Sequence, residues 1–354
     1  MALRTPAQEI VMGPRRLVAL PVVAVVLATA ACGDDDDSAE VEAPTGPVEA
    51  ELATGTVEEI IGFDIAAREN SEGLAVDESG DLYITLSPLG KVVRVRDGET
   101  TTEDVGSIPI GEQDFGPLGI AIDGDDVVVA VQSATSGGVW RIPKAGGEGE
   151  RIPGTEAIGF ANDVEVDDEG TIWVASSVEG PDESGANTGA VWRIAGDQVE
   201  RWFAGPILGG TGESPLPAPV GANGITRRDD TLYVSNTERG QIVAIPVGDD
   251  ATPGTPSVYA EDPQLGGADG ITFDDAGNLY VASIGQSQIV RVDKDDQVVT
   301  LVAADEDGLD YVSTVKFGTG QYEGDLLALN FAVGEQLGDT TVEGPGLLRI
   351  PAAE

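Results

Sequence analysis

The sequence predicts an all-β fold, a six-bladed β-propeller with four-stranded blades. Three observations predict it: one unit recurs six times, the recurrence is blade-sized, and each unit holds short β-rich runs between Gly-rich turns with no long 3.6-residue periodicity. The unit opens on a small or polar residue, passes through an apolar stretch to an acidic turn, and continues into an apolar-aromatic strand and a further strand. Glu72-Gly73-Leu74 leads to Leu82-Tyr83-Ile84 and Val92-Val93-Arg94-Val95, and Leu118-Gly119-Ile120 leads to Val127-Val128-Val129 and Val139-Trp140-Arg141-Ile142. Asn162-Asp163-Val164, Asn223-Gly224-Ile225 and Asp269-Gly270-Ile271 open the next three copies, and Ser313-Thr314-Val315 opens a degenerate sixth. The openings at 72, 118, 162, 223, 269 and 313 are separated by 46, 44, 61, 46 and 44 residues.

A single blade cannot bury both of its faces, so the copies must stack on one another around a ring, with one core expected across 55–354. The apolar run Val57 to Phe63 is expected to pair with the C-terminal strand near Leu348 and close that ring. The 61-residue spacing marks an insertion, placed at Glu179 to Asn187 and Ile207 to Ala222 and expected to shape the channel mouth. The acidic turns Asp77-Glu78-Ser79-Gly80, Asp167-Asp168-Glu169-Gly170 and Asp274-Asp275-Ala276-Gly277 resemble calcium loops only superficially. An acidic residue followed by Gly in the left-handed region is what a tight hairpin demands.

Composition removes whole classes of chemistry. The chain has no histidine and a single cysteine, Cys32, so a His-dependent triad, a His/Cys zinc centre and an internal disulfide are all excluded. Lys plus Arg number 19 against 63 Asp plus Glu, a formal net charge of −44. Such a surface repels phosphate backbones, and no nucleic-acid partner is expected. Carboxylate, amide, hydroxyl and metal chemistry remain.

The N-terminus reads as an export signal over 1–31. Arg4, Arg15 and Arg16 precede the apolar run Leu17 to Ala31, whose 15 residues fall short of a membrane span. Arg15-Arg16 is at most a weak twin-arginine match. Thr29-Ala30-Ala31 before Cys32-Gly33 resembles a bacterial lipobox, with Thr29 where Leu is usual. The resemblance implies lipidation of Cys32 and a chain anchored at the extracytoplasmic face of a bacterial membrane, simple secretion being the alternative. Residues 32–54, with Asp34-Asp35-Asp36-Asp37 followed by an Ala-, Glu-, Pro- and Gly-rich stretch, read as a solvated tether. A monomer is expected.

The residues opening the repeats begin the strands nearest the propeller axis, so they should converge at one end of the channel: Glu72, Leu118, Asn162, Asn223, Asp269 and Ser313. Two carboxylates and two carboxamides around one axis are costly to desolvate without a positive charge among them. Calcium, a hard cation taking six to eight oxygens, suits such a set with positions left over for water or substrate. Taken singly, each residue is equally an inner-strand cap bonding turn amides.

Ser71-Glu72-Gly73, Phe160-Ala161-Asn162-Asp163, Ala222-Asn223-Gly224-Ile225 and Ala268-Asp269-Gly270-Ile271 together resemble the SMP-30/gluconolactonase superfamily over about residues 57 to 352. That superfamily includes calcium-dependent phosphotriesterases of the squid fluorophosphatase type and the more distant paraoxonases. The resemblance implies that Glu72, Asn162, Asn223 and Asp269 bind a catalytic calcium, with Asp269 as base or nucleophile. The implied activity is hydrolysis of lactones or related esters. The gluconolactonase branch commonly carries Arg where this chain has Phe160, which moves the expected substrate away from sugar lactones. Phe160 and Arg227 are the candidate substrate-binding residues, with Arg228 beside Arg227; the alternative for the two arginines is a solvated turn. The competing function is a non-catalytic propeller that binds a ligand or protein at its channel mouth. A quinoprotein dehydrogenase is disfavoured because enzymes of that kind use a channel histidine.

Overall fold

The computed structural model describes Leu52 and residues 56–353, apart from 215, 217–218, 295–296, 304–307 and 335–342. The export segment, Cys32 and the tether apart from Leu52 lie outside the described residues; Leu52 forms an antiparallel bridge with Ala352 and packs against the core between blades 5 and 6. Six four-stranded antiparallel sheets follow one another along the chain as blades 1 to 6, with single-turn 3₁₀ helices between several of the strands. The inner strands are Ser71–Val76, Gly116–Asp123, Ala161–Val166, Ala222–Arg228, Ala268–Phe273 and Val312–Phe317. Five blades are built from four consecutive strands. Blade 6 takes its outermost strand from the beginning of the chain, Glu58–Gly62, which pairs with Gly346–Ile350 and sets Glu59 opposite Leu348. This is the closure that the apolar run before the first repeat predicts, and it ties the two ends of the propeller together within one blade.

The acidic turns are hairpin turns. In the first, Asp77 Oδ1 accepts hydrogen bonds from the backbone of Ser79 and Asp81, and Gly80 sits at φ 89°. The carboxylate satisfies amides of its own turn, which is what selects Asp there. The insertion divides in two. Glu179 to Asn187 lengthens the hairpin between Ile172–Pro181 and Asn187–Ala195, pairing Gly180 with Thr188. The second part sends Leu216 against Ile284, Phe331 and Val333 on blades 5 and 6.

The core differs from the single one expected. Each of the six blade-to-blade interfaces has its own apolar cluster: blades 2 and 3 share Val128, Val164, Ile172 and Trp192, for example, and blades 6 and 1 share Leu329, Leu347, Leu74 and Ile84. Full burial of each such aliphatic side chain contributes about 1.5–3 kcal/mol. The clusters stay separate because each blade's sheet stands between two of them and sends alternate residues to opposite faces: Val127 and Val129 join one cluster, Val128 and Ala130 the next.

Around that axis the inner strands crowd one another. The second residue of each repeat opening is Gly in four blades, and a Cβ there would run into the neighbouring inner strand: at Gly73 into the Leu118 carbonyl, at Gly224 into the Asp269 carbonyl. Gly is therefore required by proximity rather than by backbone angle. Hydroxyls complete the joint. Thr85 Oγ1 accepts from the Gly73 amide at 2.8 Å and donates to the Leu118 carbonyl at 2.8 Å; Ser235 Oγ does the same between Gly224 and Asp269, at 2.8 and 2.7 Å. We expect Gly224→Val to cost about 1–3 kcal/mol or more by overpacking, read as a lower urea midpoint with an unchanged m-value. Gly98→Ala, at a turn where a Cβ would meet nothing, should cost less.

Candidate functional site

Every inner strand breaks register with its neighbour at the repeat opening. The pairing skips from Ser71 to Leu74, Pro117 to Ile120, Ala161 to Asp163, Ala222 to Ile225, Ala268 to Ile271 and Val312 to Thr314. A bulge re-aims the side chain it carries, and four of the residues at these breaks, Glu72, Asn223, Asp269 and Ser313, line one central cavity. Glu72, Asn162, Asn223 and Asp269 are 8, 4, 3 and 4% exposed, and Leu118 and Ser313 complete the ring. The central cavity measures about 10 Å³, which is room for a single ion or water.

The carboxamides are held from behind. Asn162 Nδ2 donates to Ser177 Oγ and Asn223 Nδ2 to Thr237 Oγ1, each at 2.9 Å; the two hydroxyls in turn donate to the carbonyls of Ala222 and Ala268 on the next blade. Fixing the amide nitrogen fixes the plane of each group, so both carboxamides are preorganised. Ser313 Oγ donates to the Glu72 carbonyl at 2.8 Å and anchors the strand that carries that carboxylate.

The electrostatics are unfavourable as they stand. Burial first, and then the Asp269 and Asp163 charges, push the Glu72 carboxyl well above its ordinary range. Burial and the Asp163 charge do the same to Asp269, against hydrogen bonds from the Gly270 backbone and Asn223 that favour its ionised form. Asp163 replaces the Gly found at this place in most blades. Its two carboxylate oxygens accept from the amides of Val164, at 2.8 Å, and Ile225, at 2.9 Å, so it straps blade 3 to blade 4. One layer further along the channel, burial raises Glu165 to about 7, opposed by the positive charge of Lys316.

Carboxylates gathered this closely ionise together only if a cation joins them. The donor set suits calcium in kind, having hard oxygen atoms only, two of them from amides held in place. Among the described residues no group of three or more His, Cys, Asp or Glu side chains is placed to hold a metal. The ring differs from such a group in drawing half of its donors from asparagine.

The other expected residues lie elsewhere. Phe160 precedes the blade 3 inner strand at the ring end, partly exposed, and stacks on Phe115 with centroids 6.2 Å apart. Arg227 is at the opposite end of its strand from Asn223, where Nη1 meets Asp167 at 2.6 Å and Glu169 at 3.3 Å. Arg228 donates to the Asp274 carbonyl at 2.9 Å and lies over the Phe273 ring. Neither arginine is brought to the ring. Sequence reasoning passed over Asp163 as a strap, over Glu165 and Lys316, and over the supporting hydroxyls. The hydroxyls do leave a signal, since Thr85, Ser177, Ser235 and Thr237 each stand just beyond an apolar-aromatic run.

A profile of the SMP-30/Gluconolactonase/LRE-like region matches residues 116–324. Among solved structures the chain is similar to a luciferin-regenerating enzyme, at 16% identity, TM-score 0.60, covering 87% of this chain and 96% of that one. It is similar to a gluconolactonase from Xanthomonas campestris, at 18% identity, TM-score 0.56, covering 88% and 98%. It is also similar to a calcium-binding protein, regucalcin, from Agrobacterium tumefaciens, at 15% identity, TM-score 0.58, covering 87% and 95%. At these identities the likeness is one of fold. A search of curated proteins by sequence finds no match.

Glu165 gives a pH test. Its folded pKa is raised from the ordinary 4.5 to about 7, so the folded state prefers the protonated form. The stabilisation is fully present below about 4.5 and lost as pH climbs through about 7. With divalent cations chelated, Glu165→Gln should flatten the fall in unfolding free energy over that window by on the order of 2 kcal/mol, discounted for partial exposure. Urea titrations at stepped pH measure it.

Proposed function

The chain belongs to the SMP-30/gluconolactonase/LRE-like family, and on that premise we propose that it is a calcium-dependent hydrolase of lactones or related esters acting at the axis of the propeller. The observation that carries the proposal is the convergence of Glu72, Asn223 and Asp269 on one small cavity, with Asn162 in the equivalent place on its own strand. In this reading the four side chains hold the ion: two carboxylates match its charge, and two preorganised carboxamides add neutral oxygens. When bound, calcium would supply a Lewis acid that polarises the carbonyl or phosphoryl oxygen of a substrate.

The chain's own residues do the rest. Asp269 is the reacting carboxylate; burial and Asp163 raise its pKa, its hydrogen bonds from the Gly270 backbone and Asn223 favour the ionised form, and a cation held beside it would complete that ionisation. It either takes the proton of an attacking water or attacks the substrate itself. The low exposure of the ring excludes bulk water, which strengthens each of these electrostatic contacts. Phe160 and its partner Phe115 offer an apolar wall at the ring end of blades 2 and 3, suited to a less polar leaving group or acyl chain than a sugar. We place the protein outside the cytoplasm as a monomeric lipoprotein held to a membrane through Cys32.

The narrowness of the ring favours one second reading, a propeller that binds a ligand at its mouth without turning it over. Thermal unfolding of the full chain with and without calcium, beside a panel of small lactones and phosphotriesters, separates the two. At a hundredfold excess over Kd, calcium should stabilise the fold by about 2.7 kcal/mol. Asp269→Asn should stabilise the cation-free protein, weaken the calcium effect and lower turnover at least 10²-fold. Calcium stabilisation with no turnover on any substrate supports the binding propeller, and no calcium effect rejects the metal site. Separately, Cys32→Ser should abolish labelling of the chain by radioactive palmitate in a bacterial host and release the protein from the membrane fraction; undiminished labelling rejects Cys32 as the anchor.

A further inference from the structure

Lys316 is the one basic side chain that lines the central cavity, in company with Glu72, Asp163 and Asp269. It stands three residues beyond Ser313 in blade 6, as Glu165 stands three beyond Asn162 in blade 3. Blades 3 and 6 face each other across a six-bladed ring, so the two residues stand at the same level on opposite inner strands. The other inner strands present Ala75, Ala121, Thr226 and Thr272 at this level, none of them charged. Among the described residues the Lys316 ammonium has no hydrogen-bond or ion-pair partner at contact distance. Its charge nevertheless reaches Glu165, favouring the ionised form against the burial that opposes it.

We propose that Lys316 is a built-in cation of the channel, which offsets the Asp163 and Glu165 carboxylates and so limits the channel to a single divalent ion at the ring. The ion count rests on the metal reading above; the charge pairing does not. Glu72, Asp163 and Asp269 line the cavity beside Lys316, and Glu165 stands one layer further along; ionised together, the four carboxylates carry four negative charges. With Lys316 in place, one divalent cation leaves a single negative charge uncompensated. Without it, the shortfall equals the charge of a second divalent cation, and Asp163 and Glu165 provide oxygens for one.

Two measurements on the full chain test this. Calcium titration by calorimetry should find one ion per chain for the wild type, two for Lys316→Met, and one again for Lys316→Met/Glu165→Gln. Lys316→Arg, which keeps the charge, should stay at one. In chelator, urea midpoints should form a non-additive cycle: Lys316→Met lowers the midpoint, and adding Glu165→Gln recovers most of the loss. If the wild type and Lys316→Met both bind one ion, the limit set by Lys316 is overturned and the metal ring stands. A wild type that binds none overturns the ring and the ion count together, and the chelated cycle then judges the charge pairing alone. Additive midpoints overturn that pairing. Should Lys316→Met fail to fold, Lys316→Gln is carried through the same two measurements.

Discussion

Six inner strands meeting around one axis is the constraint from which the rest of the molecule follows. In four blades the approach is made where a side chain is missing, at Gly73, Gly119, Gly224 and Gly270, and the bulged ladder is repaired by hydroxyls such as those of Thr85 and Ser235. The same bulges that demand these residues turn Glu72, Asn162, Asn223 and Asp269 inward. Site and scaffold are thus one arrangement. The hydroxyls that staple blade to blade at Ser177 and Thr237 are also the groups that hold the carboxamides in place.

The electrostatic cost of that arrangement explains its chemistry. Carboxylates are driven up in pKa by burial and by one another wherever they share a channel, and the protein meets this in two ways. Asp163 spends its charge on backbone amides of two blades, which is a structural use of a carboxylate. Glu72 and Asp269 are driven up despite the hydrogen bonds that Asp269 accepts from the Gly270 backbone and Asn223, and a cation bound between them would keep both ionised. The surface adds to this, because a net charge of −44 favours the approach of cations and disfavours anions.

Much of the fold was legible from the chain because its signals are local and repeated. Gly after the ring residue, an Asp-x-x-Gly turn and an apolar-aromatic strand recur in the same order, and the ring positions could be named by alignment of the sequence with itself. What stayed hidden depends on geometry between blades. That Arg227 is engaged by Asp167 and Glu169 at the far end of its strand follows from the strand's length and the packing of blades 3 and 4, which no periodicity records. Lys316 lies in a strand of ordinary appearance, and only the closure of the ring sets it opposite Glu165. The separation of the core into six clusters likewise follows from the stacking of one blade on the next rather than from any one repeat.

The most direct test of the central claim is a crystal structure of the protein grown with calcium, with anomalous data to identify the ion. A peak on the propeller axis, with oxygens of Glu72, Asn162, Asn223 and Asp269 at about 2.3–2.6 Å, is the result the account predicts. An axis holding only water, with the Glu72 and Asp269 carboxyls sharing a proton in the presence of calcium, would contradict it.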